Sequence, residues 1–152
     1  MEMVYFSNRQ GELVAVDPQQ VSFCPAVYGI FIEGQRILLN RHSETGLWQP
    51  PGGLVEMGQA PGRILRTYFR SATGLIPDLG PLLYVEEQHQ MDSSGRAWQL
   101  WVLYYALSRP AGGTLSLVDT KTDDRPVWVL LSELSREQMQ FGYQAVLNGA
   151  NR

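Results

Sequence analysis

A mixed α/β domain is what this sequence predicts, on three observations. Short apolar runs bounded by Gly, Pro, Asn and Asp recur along the chain and read as strands. Between Pro61 and Gly74 apolar residues recur at helical spacing instead. The chain is 152 residues long, 44% apolar and 18% charged, which suits one globular domain able to bury its own core. Repeats, low-complexity tracts and interdomain linkers are absent from the sequence.

The elements follow in order. Val4 to Phe6 and Leu13 to Val16 flank Ser7-Asn8-Arg9-Gln10-Gly11 and predict an N-terminal hairpin, an extension over residues 1–21. The main domain then runs over 22–150. Ala26 to Ile32 and Arg36 to Leu39 flank Glu33-Gly34-Gln35, a second hairpin signal. A helix is predicted from Pro61 to Thr73, with proline at its start, Gly74 at its end and Pro77 preventing continuation. Leu82 to Gln90 and Ala97 to Leu107 read as long strands joined at Asp92-Ser93-Ser94-Gly95. Strands at Thr114 to Val118 and Val127 to Leu131 follow. Two short helices, from Ser132 and from about Gln140, complete the chain.

Composition excludes several functions. A net charge of −3 gives no basic surface for nonspecific nucleic-acid binding. The sequence has no apolar run long enough to span a membrane. The start, Met1-Glu2-Met3-Val4-Tyr5-Phe6, lacks the pattern of a signal peptide, so a cytoplasmic location is expected. The single Cys24 excludes an internal disulfide and fits a reducing compartment; its apolar neighbours read it as a buried structural thiol.

The most informative segment is Pro51-Gly52-Gly53-Leu54-Val55-Glu56-Met57-Gly58, a glycine-rich loop, together with the helix that follows and its closing Thr73-Gly74-Leu75. Loop, helix and glycine resemble the signature of the Nudix hydrolases, which cleave pyrophosphate linkages with Mg²⁺. That pattern is Gly, five residues, Glu, seven residues, then Arg-Glu-apolar-any-Glu-Glu-any-Gly-apolar. Set at Gly53, it is kept at Gly53, Phe69, Gly74 and Leu75. It is replaced at Gln59, Thr67, Tyr68, Ser71 and Ala72, where the family has a glutamate, an arginine and three further glutamates. Upstream, Arg36 to His42 and Gly46 to Pro50 look like the strand and loop leading into the family's glycines. Downstream, Val127 to Leu134 looks like its last strand entering a helix. The resemblance covers roughly residues 22–148 and implies an α/β/α sandwich of mixed β-sheets.

The replacements bear on chemistry. Mg²⁺ takes oxygen ligands, usually carboxylates with waters and substrate phosphates. In pyrophosphate hydrolysis it neutralises phosphate charge and aligns the attacking water. Residues three and four apart share a helix face, so acids at positions 68, 71 and 72 would converge on one cleft. Here that patch offers a phenol, a hydroxyl and a methyl, so the family's Mg²⁺ has lost its expected ligands. Pro61, Ile64, Leu65, Tyr68, Phe69 and Ala72 fall in one arc roughly 140° wide, which makes Tyr68 and Ala72 part of the apolar stripe. Arg63, Arg66 and Arg70 cluster opposite it and read as a solvated basic face.

Other acidic and polar groups are candidate substitutes. Glu56 reads as a loop brace working through backbone hydrogen bonds. Glu86 and Glu87 are adjacent on a strand, so only one can face a given cleft. Asp119, Asp123 and Asp124 lie in the connection from Val118 to Pro126. Among ligand-binding candidates, Arg41, Gly52, Gly53 and Glu56 stand out, Arg41 because a guanidinium engages phosphate oxygens bidentately. His42 reads as a surface residue. Trp48, Tyr84, Trp98, Trp101, Tyr104 and Tyr105 read first as packing aromatics, with Tyr104 and Tyr105 on opposite faces of their strand.

The resulting expectation is a catalytically impaired Nudix-fold protein that binds a phosphorylated, nucleotide-like ligand or a regulatory partner. The first alternative is an active hydrolase using Glu56, Glu86 or Glu87, Asp119, Asp123 and Asp124. The second is a scaffold that forms a homodimer through its N-terminal hairpin.

Overall fold

The computed structural model describes residues 2–8, 10–115 and 125–152. An antiparallel hairpin of β1 (Val4–Ser7) and β2 (Leu13–Val16) leads the chain. Its turn is held by the Asn8 carboxamide oxygen, which accepts from the backbone N–H groups of Gln10 and Glu12. The main sheet contains β3 (Ser22–Glu33), β4 (Arg36–Arg41), β5 (Trp48–Gln49), β6 (Gly52–Leu54), β7 (Asp78–Met91), β8 (Ala97–Ser108) and β9 (Val127–Leu130). Its path is β5-β4-β3-β8-β7, with β6 added to β3 and β9 to β4. β3 runs parallel to β8 and antiparallel to β4 and β6, so the sheet is mixed.

β3 explains the architecture. A strand paired in parallel at the centre is covered on both faces, which requires an almost unbroken apolar run. Ala26-Val-Tyr-Gly-Ile-Phe31 supplies it. Val27 and Phe31 point to one face, where they pack with Leu38, Leu65, Phe69 and Leu107 under α1 (Pro61–Thr73). Ala26 and Ile30 point to the other, joining Leu39, Val102, Tyr104 and Val146 under α2 (Tyr143–Ala150). One helix on each face makes the predicted α/β/α sandwich. Each large side chain buried in these layers contributes roughly 1.5–3 kcal/mol.

α1 has the predicted bounds. Pro61 occupies its first turn, and Gly74 ends it in the left-handed region at φ 78°, donating its N–H to the Arg70 carbonyl. Leu65, Phe69 and Thr73 are buried, while Tyr68 and Ala72 are half-buried. The Thr73 hydroxyl donates to the Phe69 carbonyl at 2.8 Å, which satisfies the buried polar side chain.

Several expectations need correction. The helix from Ser132 is only a 3-10 turn over Leu131–Glu133, and the final helix begins at Tyr143 rather than near Gln140. Thr114 and Leu115 are not in a strand, and the rest of that predicted strand lies outside the described residues. β5 and β6 are too short to carry a periodic signal. Cys24 is half-buried, not buried; its burial nonetheless pushes the thiol pKa up, and its Sγ lies 3.6 Å from the Val55 carbonyl. Phe6 of the hairpin is 1% exposed and stacks on His89 of β7 at 4.9 Å. Among the described residues, no helix is long and apolar enough to cross a membrane.

Candidate functional site

The glycine-rich strand β6 lies between two tyrosines. Tyr28 is directly opposite Gly52, and a Cβ at Gly52 would come within 2.7 Å of its ring and 2.0 Å of the Val27 carbonyl oxygen. On the other side, a Cβ at Gly53 would stand 2.9 Å from the Tyr68 ring. Both glycines therefore have a packing reason in this chain, independent of any ligand. Tyr68 reaches across from α1 and donates its hydroxyl to the Leu54 carbonyl at 2.6 Å, tying helix to loop.

The other positions that depart from the family pattern lie at or near the surface. The Gln59 carboxamide oxygen accepts from the Glu56 N–H at 2.8 Å, and the Gln59 N–H returns to the Glu56 carbonyl at 3.0 Å. The loop is braced through the Glu56 backbone; the Glu56 carboxylate is exposed and accepts no hydrogen bond among the described residues. Thr67 is exposed, and its hydroxyl donates back to the Arg63 carbonyl at 3.2 Å. Ser71 is exposed on the helix, and Ala72 offers no donor atom.

A second concavity, of about 460 Å³, opens on the α2 side, lined in part by Tyr84, Glu86, Gln88, Arg136, Phe141 and Tyr143. Behind it Tyr28 joins Phe141 at 4.8 Å and Tyr104 at 6.1 Å between ring centroids. The Tyr104 hydroxyl donates to the Glu86 carboxylate in a short hydrogen bond. Burial first, and that bond second, push the Tyr104 pKa far above the usual phenol range. Tyr28 is pushed up to about 12, chiefly by burial and then by the neighbouring Tyr68. Both phenols therefore stay neutral hydrogen-bonding groups. Glu86 also accepts from the Gln88 carboxamide at 2.8 Å, and the Arg136 guanidinium lies over the Tyr143 ring at 4.9 Å. Carboxylate, amide, cation and aromatic edges together suit a flat polar group attached to an anion.

The sequence-predicted residues divide accordingly. Gly52, Gly53, Glu56, Gln59 and Tyr68 come together at β6 and the start of α1. Glu86 and Glu87 face opposite ways as expected: Glu87 instead binds His89 at 2.6 Å and Gln99 at 2.7 Å. The Arg41 guanidinium stacks on Trp48 at 4.2 Å and donates to the Gly46 carbonyl at 3.1 Å. His42 is half-buried and accepts from the Glu44 and Thr45 N–H groups. Tyr104 and Tyr105 do fall in opposite core layers. Asp119, Asp123 and Asp124 lie outside the described residues. Sequence reasoning missed Tyr28, Arg136 and Phe141. Their one available signal was Tyr28 at an alternate position of the central strand, aligned with the glycines.

The family model described as the NUDIX domain matches residues 22–148. Solved structures similar to the chain include a MutT NUDIX hydrolase from Burkholderia pseudomallei, with a TM-score of 0.62 and 20% identity over 84% of this chain and 98% of that one. A MutT protein from Methanosarcina mazei Go1 gives a TM-score of 0.61 and 18% identity, over 87% of this chain and 96% of that one. A UDP-X diphosphatase gives 0.58 and 18%, over 86% and 64%. At these identities the likeness establishes the fold. No curated protein matches the chain significantly.

Proposed function

The chain belongs to the Nudix family, and from that premise we propose that it is a member whose metal-dependent pyrophosphate cleavage is lost or greatly weakened. In this reading it holds a phosphorylated, nucleotide-like ligand in the Glu86–Arg136 concavity without cleaving it.

The observation that carries the proposal is Tyr68. Where the family pattern has a glutamate, a phenol lies on Gly53 and donates its hydroxyl to the Leu54 carbonyl. Gln59 is committed to the Glu56 N–H, and Ser71 and Ala72 add no charge. A hard divalent cation needs several oxygen ligands, carboxylates foremost. This donor set does not fit Mg²⁺. Among the described residues, no three His, Cys, Asp or Glu side chains stand together at metal-binding spacing. Glu86 and Glu87, named in the displaced-ligand alternative, are adjacent on β7 and face opposite ways, so at most one could enter a given cleft.

The ligand part rests on what remains. Arg136 supplies a cation for a phosphate, Glu86 and Gln88 supply acceptors and donors for a base or sugar, and Tyr84 and Phe141 supply apolar surface. Equilibrium binding of a nucleoside diphosphate panel, without metal, tests it alongside phosphate release with Mg²⁺. Saturable metal-independent binding that weakens about tenfold in Arg136→Ala, with no phosphate released, is expected. Efficient release by the unaltered chain overturns the proposal.

A further inference from the structure

α1 carries a second surface unrelated to the concavity above. Arg63, Arg66 and Arg70 share one side of the helix, and about 10 Å of axis separates the first from the last. The chain has no acidic residue between Glu56 and Asp78 to offset them. Among the described residues no carboxylate forms an ion pair with any of the three. Arg66 is fixed by donating its Nε–H to the Pro77 carbonyl at 3.0 Å.

This row is more than the solvated ridge expected from the sequence. It borders an open groove of about 460 Å³ whose apolar lining includes Ile76 and Leu79, 46% and 43% exposed. Leu79 can lie this close because Gly62 has no Cβ; one there would stand 2.6 Å from the Leu79 methyl. A smaller hollow of about 290 Å³ extends the same surface past Arg63 toward Gly58. Cations along one wall and aliphatic side chains on the floor form one continuous strip.

We propose that this strip docks an acidic segment of a protein partner, with carboxylates on the arginines and an aliphatic side chain against Ile76 and Leu79. Charge complementarity selects the acidic character, and the aliphatic floor selects a peptide over other polyanions. Single-stranded nucleic acid would need stacking aromatics, which the groove lacks. A membrane would need a convex apolar surface, and this one is concave. The inference does not depend on the reading of the Glu86 concavity.

Fluorescence anisotropy with a labelled peptide alternating Glu-Glu-Leu tests it. The unaltered chain binds saturably, and salt weakens the binding, as exposed charge pairs require. R63A/R66A/R70A weakens it about tenfold or more, whereas R36Q/R96Q/R152Q, the same loss of charge elsewhere, leaves it within about twofold. R63E/R70E loses this peptide and gains a Lys-Lys-Leu one, which shows that the altered chain is folded. Absence of saturable binding below about 1 mM overturns the proposal. So does equal loss in both triple variants, or tighter binding to phosphatidylserine vesicles or a single-stranded oligonucleotide.

Discussion

Gly53 and Glu86 mark two sites on opposite sides of one sheet, and they differ in what packing asks of them. At the α1 side the signature positions that match the family are all structurally constrained. Gly53 accommodates the Tyr68 ring, Phe69 is fully buried, Gly74 is left-handed and Leu75 is 4% exposed. The positions that differ, Gln59, Thr67, Tyr68, Ser71 and Ala72, are exposed or half-buried. The matching positions carry packing and the differing ones carry little of it, so the two sets are physically separable. On the α2 side the polar groups are themselves structural, because Glu86 satisfies the hydroxyl of the fully buried Tyr104. Changing a donor there disturbs the core as well as the pocket.

This contrast is open to attack by substitution. The largest effect belongs to the α1 scaffold: Phe69→Ala, at a fully buried side chain, should cost about 3–5 kcal/mol in chemical denaturation. A loss below about 1 kcal/mol would remove the claim that packing constrains the matching positions. Next comes Gly53→Ala, which should cost about 1–3 kcal/mol because its methyl meets the Tyr68 ring. Pairing it with Tyr68→Ala should recover part of that loss, and a double-mutant cycle measures the coupling. Strict additivity would mean that Tyr68 does not rest on the loop in solution.

A smaller change is expected across the sheet. Tyr104→Phe removes one hydrogen bond to a carboxylate and should cost about 1.5 kcal/mol, yet also alter nucleoside diphosphate binding several-fold. An effect on stability alone would separate Glu86 from the pocket's ligand chemistry. The mildest prediction concerns the β7–β8 turn. Hydrogen bonds from Ser94, then Trp98 and the Arg96 backbone, hold the Asp92 pKa well below the usual carboxylate range. Its contribution is therefore complete above the unfolded value near pH 4 and fades as pH falls toward the lower folded value. Asp92→Asn should flatten the acid limb of a stability-versus-pH curve and leave binding at neutral pH unchanged.

Much of this molecule was legible in the sequence for reasons the structure makes plain. α1 is marked at both ends, by Pro61 and Gly74, and its stripe lies directly on the core, so its bounds emerged intact. The opposite facing of Glu86 and Glu87, and of Tyr104 and Tyr105, follows from strand alternation alone. The two- and three-residue strands β5 and β6 escaped because they hold only a register, not a pattern. The α2-side concavity was illegible for a different reason. Tyr28, Glu86 and Arg136 come from elements far apart in sequence, brought together by the β3–β8 and β7–β8 pairings and the Trp48–Met139 bridge. The arginine row was visible, but its apolar border was not, because Leu79 reaches it from the start of β7.

The most direct test of the central claim is a Mn²⁺ titration of the unaltered chain, with bound ion followed by electron paramagnetic resonance. The account predicts no stoichiometric site tighter than about 1 mM. A site in the micromolar range, with Glu56→Gln abolishing it and nucleoside diphosphate cleavage accompanying it, would contradict the account.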